Sequence, residues 1–522
     1  MADRRRQMRS RAWGGVLLLA VVGLLLFVAS TLTHQRWDWT EGQVYSLSDS
    51  TLKLIGKLDE PVMIRAYVTP DLPQPYGRLQ RFIEDMLVSY HDASNGRIGY
   101  EVIDPASDRN IAASLKAMNI PRVQVQSVED DRAQVRQGYL AVVIEYLDKK
   151  EVIPVVQGEQ GFEYLLTRKI RKLTGMGRGK IGVVSGFGAD GLYAFRKLQH
   201  LVTDDYDLVE IEPDKRPIPD DIKAIIIAGV SEAPSMLFRY RIDQFRMSGR
   251  GVMVLAGNTK PLLSMGFKVR PINGKANAWL KKDLGVAIEP GLVMDHQATR
   301  VAVNQQQGSL MFRSLVDYPF VMNVTHLSAT HPVTKGLEAV TVPFASPLLW
   351  AGDADAHHTI LMRSSAQAAT EAGPPFDVAP LVSMQQRFAG LQQRQVAVAL
   401  AADGPAQSAF DQAPAGADSK GFRKATQQSH LIVMGAPAFL GDEFVEGQNL
   451  VAVLNMMDWL TGDTGLIELR SRGVTERPLA DLASAGRTAF KLLWMLGLPL
   501  LIVMLGGWRW WRLRRLGRSV SA

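Results

Sequence analysis

Two uncharged apolar runs bracket the chain. No side chain between Trp13 and Thr33 is charged, and Val16 to Val28 is almost purely aliphatic. Leu492 to Trp508 is again uncharged, and Ala489 and Phe490 extend it if Lys491 snorkels to an interface. Each run reaches the ~20 residues a helix needs to cross a bilayer, which predicts transmembrane helices at 13–33 and 488–508. A cleaved signal peptide ending near Ala29 and Ser30 is the competing reading of the first run. A buried soluble helix competes for the second, although Pro499 and the arginines that follow it weigh against that.

Between these runs the periodicity alternates between two and 3.6 residues. Ser48 precedes an apolar face at Leu52, Ile55 and Leu58 and reads as a helix N-cap. Val62 to Val68 and Ile98 to Ile103 read as strands, and Phe82, Ile83, Met86, Leu87 and Tyr90 fall at helical spacing over Leu79 to His91. A short helix near Ile111 to Met118, then strands at Val123 to Val125 and Leu140 to Tyr146, give a β-α-β-α-β-β order, the thioredoxin-like succession. From Lys180 onward strands at Ile181 to Ser185, Leu208 to Glu212, Ala224 to Ala228 and Gly251 to Ala256 alternate with helical patterns. That predicts a largely parallel, doubly wound sheet of amidotransferase-like or flavodoxin-like type. Further strands are expected near Gly291, Thr359, Val396 and Leu431, and a helix at Asn449 to Leu460 in which Asp458 caps or pairs with Arg470 or Arg472 and Trp459 belongs to the core.

The fold class is therefore α/β, anchored by two membrane helices. The division is a basic tail at 1–12, a span at 13–33, a thioredoxin-like module at 34–155 and a linking helix at 156–179. A larger α/β domain at 180–470 follows, with mobile loops at 366–375 and 401–420, then a linker at 471–487, a span at 488–508 and a basic tail at 509–522.

The formal charge of +7 sits at the ends. Without Arg4, Arg5, Arg6, Arg9, Arg11, Arg509, Arg512, Arg514, Arg515 and Arg518 the remainder is slightly acidic, so the charge describes membrane flanks and not a nucleic-acid groove. Basic flanks prefer the cytoplasm, which places both termini there and the central body on the periplasmic side of a bacterial inner membrane. The absence of cysteine removes thiolate metal sites, thiol nucleophiles and the C-x-x-C chemistry of thioredoxins.

Three segments carry candidate chemistry. Gly186, Gly188 and Gly191 form a G-x-G-x-x-G directly after a strand, with Glu210 or Glu212 about 20 residues on, the pattern of a dinucleotide pyrophosphate loop. A body outside the cytoplasm meets little NAD, and the same glycines serve an ordinary turn. Asp353, Asp355, His357 and His358 are the densest group of potential metal ligands, set in an alanine-rich stretch that reads equally as a solvated loop. Gly251 to Asn258 resembles the strand and elbow on which amidotransferase-like folds mount a nucleophile, but the elbow offers Ala256, Gly257 and Asn258. Gly175 to Lys180 lacks the spacing and hydroxyl of a Walker A loop. No catalytic residue, cofactor or metal is assigned.

Several segments resemble the GldG-like auxiliary component of ABC transporters, of gliding-motility type. They include Tyr45-Ser-Leu-Ser48, Leu58-Asp-Glu-Pro-Val62, Ile103-Asp-Pro105, Lys180-Ile-Gly-Val-Val-Ser-Gly186, Leu284-Gly-Val286 and Val293-Met-Asp295. His331-Pro-Val-Thr-Lys-Gly336, Pro343-Phe-Ala-Ser346, Leu454-Asn-Met-Met-Asp-Trp-Leu460 and Ile467-Glu-Leu-Arg-Ser-Arg472 follow in the same order. The resemblance implies a non-ATPase auxiliary or ligand-binding subunit beside a separate permease and ATP-binding protein, in contact with membrane lipid and open to an envelope ligand. Such proteins often carry G-H-G-E after the strand where this chain has Gly186-Phe-Gly-Ala189, which favours interaction over catalysis. An envelope hydrolase using carboxylates such as Asp190, Asp295 or Asp458 is the alternative.

Overall fold

The computed structural model describes residues 45–474 apart from 71, 74–75, 130–131, 177–178, 263–266, 308–309, 353–356 and 419–420, together with isolated helical positions outside that range. Among the described residues no helix is long and apolar enough to cross a membrane. The expected spans 13–33 and 488–508 lie outside the described residues save for those isolated positions.

Helix α1 (Asp49–Ile55) starts at Ser48, whose extended backbone and hydroxyl cap the Thr51 N–H as the sequence predicts. Strand β1 (Val62–Val68) buries every second residue, the signature of a strand with one face on a core. It pairs in parallel with β2 (Ile98–Ile103), reached through helix α2 (Leu79–Ala93), whose Phe82, Ile83, Met86, Leu87 and Tyr90 are buried. Helix α3 (Arg109–Ala117) follows. Strands β3 (Val123–Glu129) and β4 (Arg132–Gly138) then pair only with each other. The expected third strand near Val123 is thus a separate hairpin. The sheet instead closes with β5 (Leu140–Tyr146) and β6 (Lys149–Ile153), both antiparallel, in the order β2-β1-β5-β6. The residues Leu140 to Ile144 of β5 are all buried, as an inner strand of the sheet requires, whereas β3 and β4 stand outside it.

Helix α4 (Phe162–Thr174), expected as a link, contributes Phe162, Leu166, Ile170 and Leu173 to the same core as β1 and α2. Its Glu163 reaches back to the start of the body, accepting from the Ser48 N–H and the Thr51 hydroxyl, both at 2.7 Å.

The larger sheet has ten strands. Its centre is a parallel row in the spatial order β8 (Tyr206–Ile211), β7 (Gly179–Val184), β9 (Ile222–Ala228), β10 (Gly251–Leu255) and Met434's strand, His430–Met434. Strands β9 and β10 are buried almost throughout, as expected for parallel strands covered on both faces. One face presents Ile181, Ile226, Met253 and Met434 to a core shared with the helix Gly447–Leu460, and the other presents Ile225, Ile227, Val254 and Val433 to the helix Met236–Met247.

Beyond His430–Met434 the sheet turns antiparallel through Ala397–Asp403, with His358–Arg363 and Leu348–Trp350 beyond it. The sequence places Ala401, Ala402 and Asp403 in a mobile loop. They are instead paired with Ile432, Leu431 and His430, and small alanines suit this buried strand, where Ala401 and Ala402 lie under neighbouring layers. Likewise Ala369–Glu371, in the other expected loop, pairs with Leu292–Met294. A long hairpin, Ala298–Gln307 with Leu310–Val324, has no counterpart among the sequence expectations.

Candidate functional site

The central row runs 2-1-3-4-5 in chain order, so consecutive connections leave β7 in opposite directions and open a crevice between the carboxyl ends of β7 and β9. The glycine-rich loop sits at this switch point. Gly186, Phe187 and Gly188 have φ of 108°, 51° and 73°, three successive residues in the left-handed region. Only glycine takes such angles cheaply, which explains two of the three glycines. A Cβ on Gly188 would also lie 2.0 Å from the Ser231 hydroxyl, and one on Gly191 would lie 3.0 Å from the Glu210 carboxylate.

The chain's own groups occupy this loop. Phe187 accepts through its carbonyl from the Ser231 and Glu232 N–H groups, and its ring packs edge-on against Phe238 at 5.2 Å. The Asp190 N–H donates to the Ala228 carbonyl at 2.8 Å. Glu210, placed by sequence on a ribose, accepts from the Leu192 N–H at 3.0 Å and so caps the turn after Gly191. Gly186, Gly188, Gly191 and Glu210 thus lie at one turn, and their contacts are those of a closed turn.

Opposite this loop lies the segment after β10. Lys260 pairs with Asp190 at 2.6 Å and donates to the Gly188 carbonyl at 3.0 Å, tying the two loops across the crevice. Asn258 donates its side-chain amide to the Glu289 and Gly291 carbonyls, and its N–H to the Ser346 hydroxyl. Thr259 is fully buried, and its hydroxyl and that of Ser185 have no hydrogen-bond partner. Lys260 was not singled out in the sequence. A lysine one strand away from an aspartate carries no periodic signal, and only the 2-1-3-4-5 order makes them neighbours.

Of the metal candidates, Asp353 and Asp355 lie outside the described residues. His357 pairs with Asp403, while the His358 ring stacks on Trp350 at 4.7 Å. Among the described residues no group of three His, Cys, Asp or Glu could hold a metal ion.

The carboxylates of interest are each engaged. Asp295 accepts from the Ser365 N–H and hydroxyl, both at 2.6 Å. Asp458, fully buried, meets Arg470 at 2.9 Å and also accepts from the Tyr206 hydroxyl. Arg470 in turn donates to Asn455 and to the Tyr164 hydroxyl on α4. Burial lowers the Arg470 pKa, but Asp458 and Tyr164 outweigh it and hold the guanidinium above its ordinary value.

A second concavity lies where the body begins and ends. Helix α1 and the last helix, Gly465–Val474, flank an open groove of about 640 Å³ that also touches Arg171 of α4. A Cβ on Gly465 would lie 3.0 Å from the Ser50 hydroxyl, so the two helices meet at close range.

Comparison with known proteins agrees with a transport-related class. An uncharacterized protein of Borreliella burgdorferi is 22% identical over 330 residues, covering 62% of this chain and 63% of its own length, so the match spans less than two thirds of that relative. Solved structures with some likeness include the mmIFT52 N-terminal domain (12% identity, TM-score 0.31, 54% of this chain and 97% of that one). A ThuA-like protein from Parabacteroides merdae gives 10% identity, TM-score 0.26, 59% and 94% coverage. Residues 41–145 match a domain of unknown function, DUF7088. Residues 178–458 match the family described as "ABC-type uncharacterized transport system", and the chain belongs to that family.

Proposed function

We propose that the protein is a non-catalytic auxiliary subunit of an ABC-type transport complex, of GldG-like kind, held in the bacterial inner membrane by a helix at each end. Its thioredoxin-like and flavodoxin-like modules would stand on the periplasmic side beside a separate permease and ATP-binding protein. The observation that carries this reading is the meeting of α1 with Gly465–Val474 at Ser50 and Gly465. The start of the body's first helix and the start of its last described helix are thus neighbours, which supports two tethers to one membrane. The 13–33 and 488–508 runs supply the apolar length.

The engaged carboxylates and the closed glycine loop support an interaction role over hydrolysis or dinucleotide binding. Asp190, Asp295 and Asp458 are held by Lys260, Ser365 and Arg470. The test is affinity purification of the tagged chain from membranes in mild detergent. An ATPase and a multi-span permease should co-purify, and a periplasm-dependent reporter fused near residue 250 should be active. Isolation of the chain alone, or reporter activity restricted to the cytosol, overturns the reading.

A further inference from the structure

We propose that the groove between α1 and Gly465–Val474 binds one phospholipid through a zwitterionic phosphoethanolamine headgroup. The inference rests on the two-anchor reading, because it requires the groove to lie within reach of a bilayer.

The groove of about 640 Å³ falls in the size range of small-ligand sites. Its walls carry separated charges of both signs. Lys53 and Lys57 lie near the carboxyl end of α1, both exposed. Asp49 lies one helical turn before Lys53, exposed and lining the same groove. Residues four apart on a helix are neighbours about 6 Å apart. That spacing suits the short reach between the phosphate and the ammonium of phosphoethanolamine. Lys53 and Lys57 would take the phosphodiester oxygens, and Asp49 would accept from the primary ammonium.

The rest of the wall carries Arg171, which pairs with Asp463, and Glu468, so its three basic residues (Lys53, Lys57, Arg171) are balanced by three acidic ones (Asp49, Asp463, Glu468). The groove as a whole is therefore near neutral, which disfavours a ligand of net negative charge and favours one that carries both signs. Leu54, half-buried beside the buried Leu466 and Leu469, is the apolar part of the wall against which the glycerol backbone would pack. The location agrees: among the described residues α1 is the first helix after the 13–33 run and Gly465–Val474 the last before the 488–508 run.

The test is native mass spectrometry of the purified full chain in detergent, exchanged against phosphatidylethanolamine, phosphatidylglycerol or phosphatidylcholine. One retained phosphatidylethanolamine is expected, at least tenfold over phosphatidylcholine, whose quaternary nitrogen has no N–H to donate to Asp49. The doubly substituted K53E/K57E chain should lose the adduct. Asp49→Asn should keep lipid binding but reduce the preference for phosphatidylethanolamine over phosphatidylglycerol at least fivefold. All three positions are exposed, and unchanged thermal unfolding of the variants checks that they fold. Equal retention of the three lipids, or retention unaffected by K53E/K57E, overturns the proposal. So does a photo-crosslink from position 53 that captures a polypeptide and no lipid. Co-purification of permease and ATPase with no selective lipid would remove this inference and leave the proposed function standing, whereas loss of the chain from the membrane fraction would remove both.

Discussion

Arg470 and Asp458 face each other at 2.9 Å with 3% and 0% of their side chains exposed, and the same guanidinium reaches Tyr164 on the helix that completes the N-terminal module. One buried cation thus joins the last helix of the body, the helix Gly447–Leu460 and α4. A partner left alone in that site would be an uncompensated buried charge.

Arg470→Met is therefore expected to cost about 3–5 kcal/mol, the usual range for breaking a buried pair. Replacing both members, with Asp458→Leu added, should recover a large part, because no charge then remains unpaired. Urea unfolding of the purified chain, followed by tryptophan fluorescence, measures both. Equal losses in the single and double variants would show that the pair contributes nothing specific.

His331 supplies a pH dependence. Its ring packs 5.0 Å from Trp459, its Nδ1 accepts from the Val333 N–H, and burial pushes its pKa down to about 4. The unfolded chain, near 6.5, takes up the proton first. Stability from the neutral ring is complete above 6.5 and is lost as pH falls from 6.5 toward 4. The nearby Asp403 opposes the shift, and the effect across that window is about 2–3 kcal/mol. His331→Asn keeps an acceptor for Val333 and should flatten the slope, although His430, also lowered by burial beside Trp459, leaves a residue of it. Urea midpoints at several pH values check this, and parallel slopes in the two proteins would refute it.

How far the sequence foretold these sites depends on the range of the interactions. Helical and strand periods located α1, α2, β1, β5 and the parallel row, because burial of alternate or every third and fourth residue is written locally. The Ser48 cap was legible for the same reason. The partner of the strand at Val123 was not: Val123 and Val125 alternate as apolar strand positions do, but which strand they pair with is a long-range matter, and the edge of β5 is taken by β6. Ala401 and Ala402 were misplaced because alanine and glycine look like loop composition, yet small residues fit a strand pressed between two layers. Asp190 and Lys260 became neighbours through strand order alone.

At the switch point, Gly188→Ala meets two penalties. Its φ of 73° is costly for any L residue, by about 1 kcal/mol or more, and the new methyl would collide with Ser231. A loss of about 2–4 kcal/mol is expected. Adding Ser231→Gly should return the steric share and leave the backbone share. Thermal unfolding of the two variants separates them, and no recovery in the double variant would mean that Ser231 has room to move.

The two modules meet through charge as well as through Arg470. Arg168 on α4 chelates Asp205, and Lys169 and Lys172 bridge Glu151 of β6 to Asp204. Burial pushes the Asp204 and Glu151 carboxyls up, but the lysines outweigh it and hold both below their ordinary values. Such depressed carboxylates stabilise the fold above the unfolded values of 3.8 and 4.5, and the contribution disappears as pH falls below them. Asp205 is the most enclosed acceptor, so Asp205→Ala leaves Arg168, 17% exposed, with Asp204 at 4.0 Å and the Leu201 carbonyl, and should cost about 1–3 kcal/mol. Because the lost contact spans two cores, the variant should also unfold in two steps, with the N-terminal module and the larger sheet melting apart, where the parent melts in one. Calorimetry of the full chain distinguishes these outcomes. A single, uniformly lowered transition in the variant would show that the apolar contacts of α4 alone suffice to couple the modules.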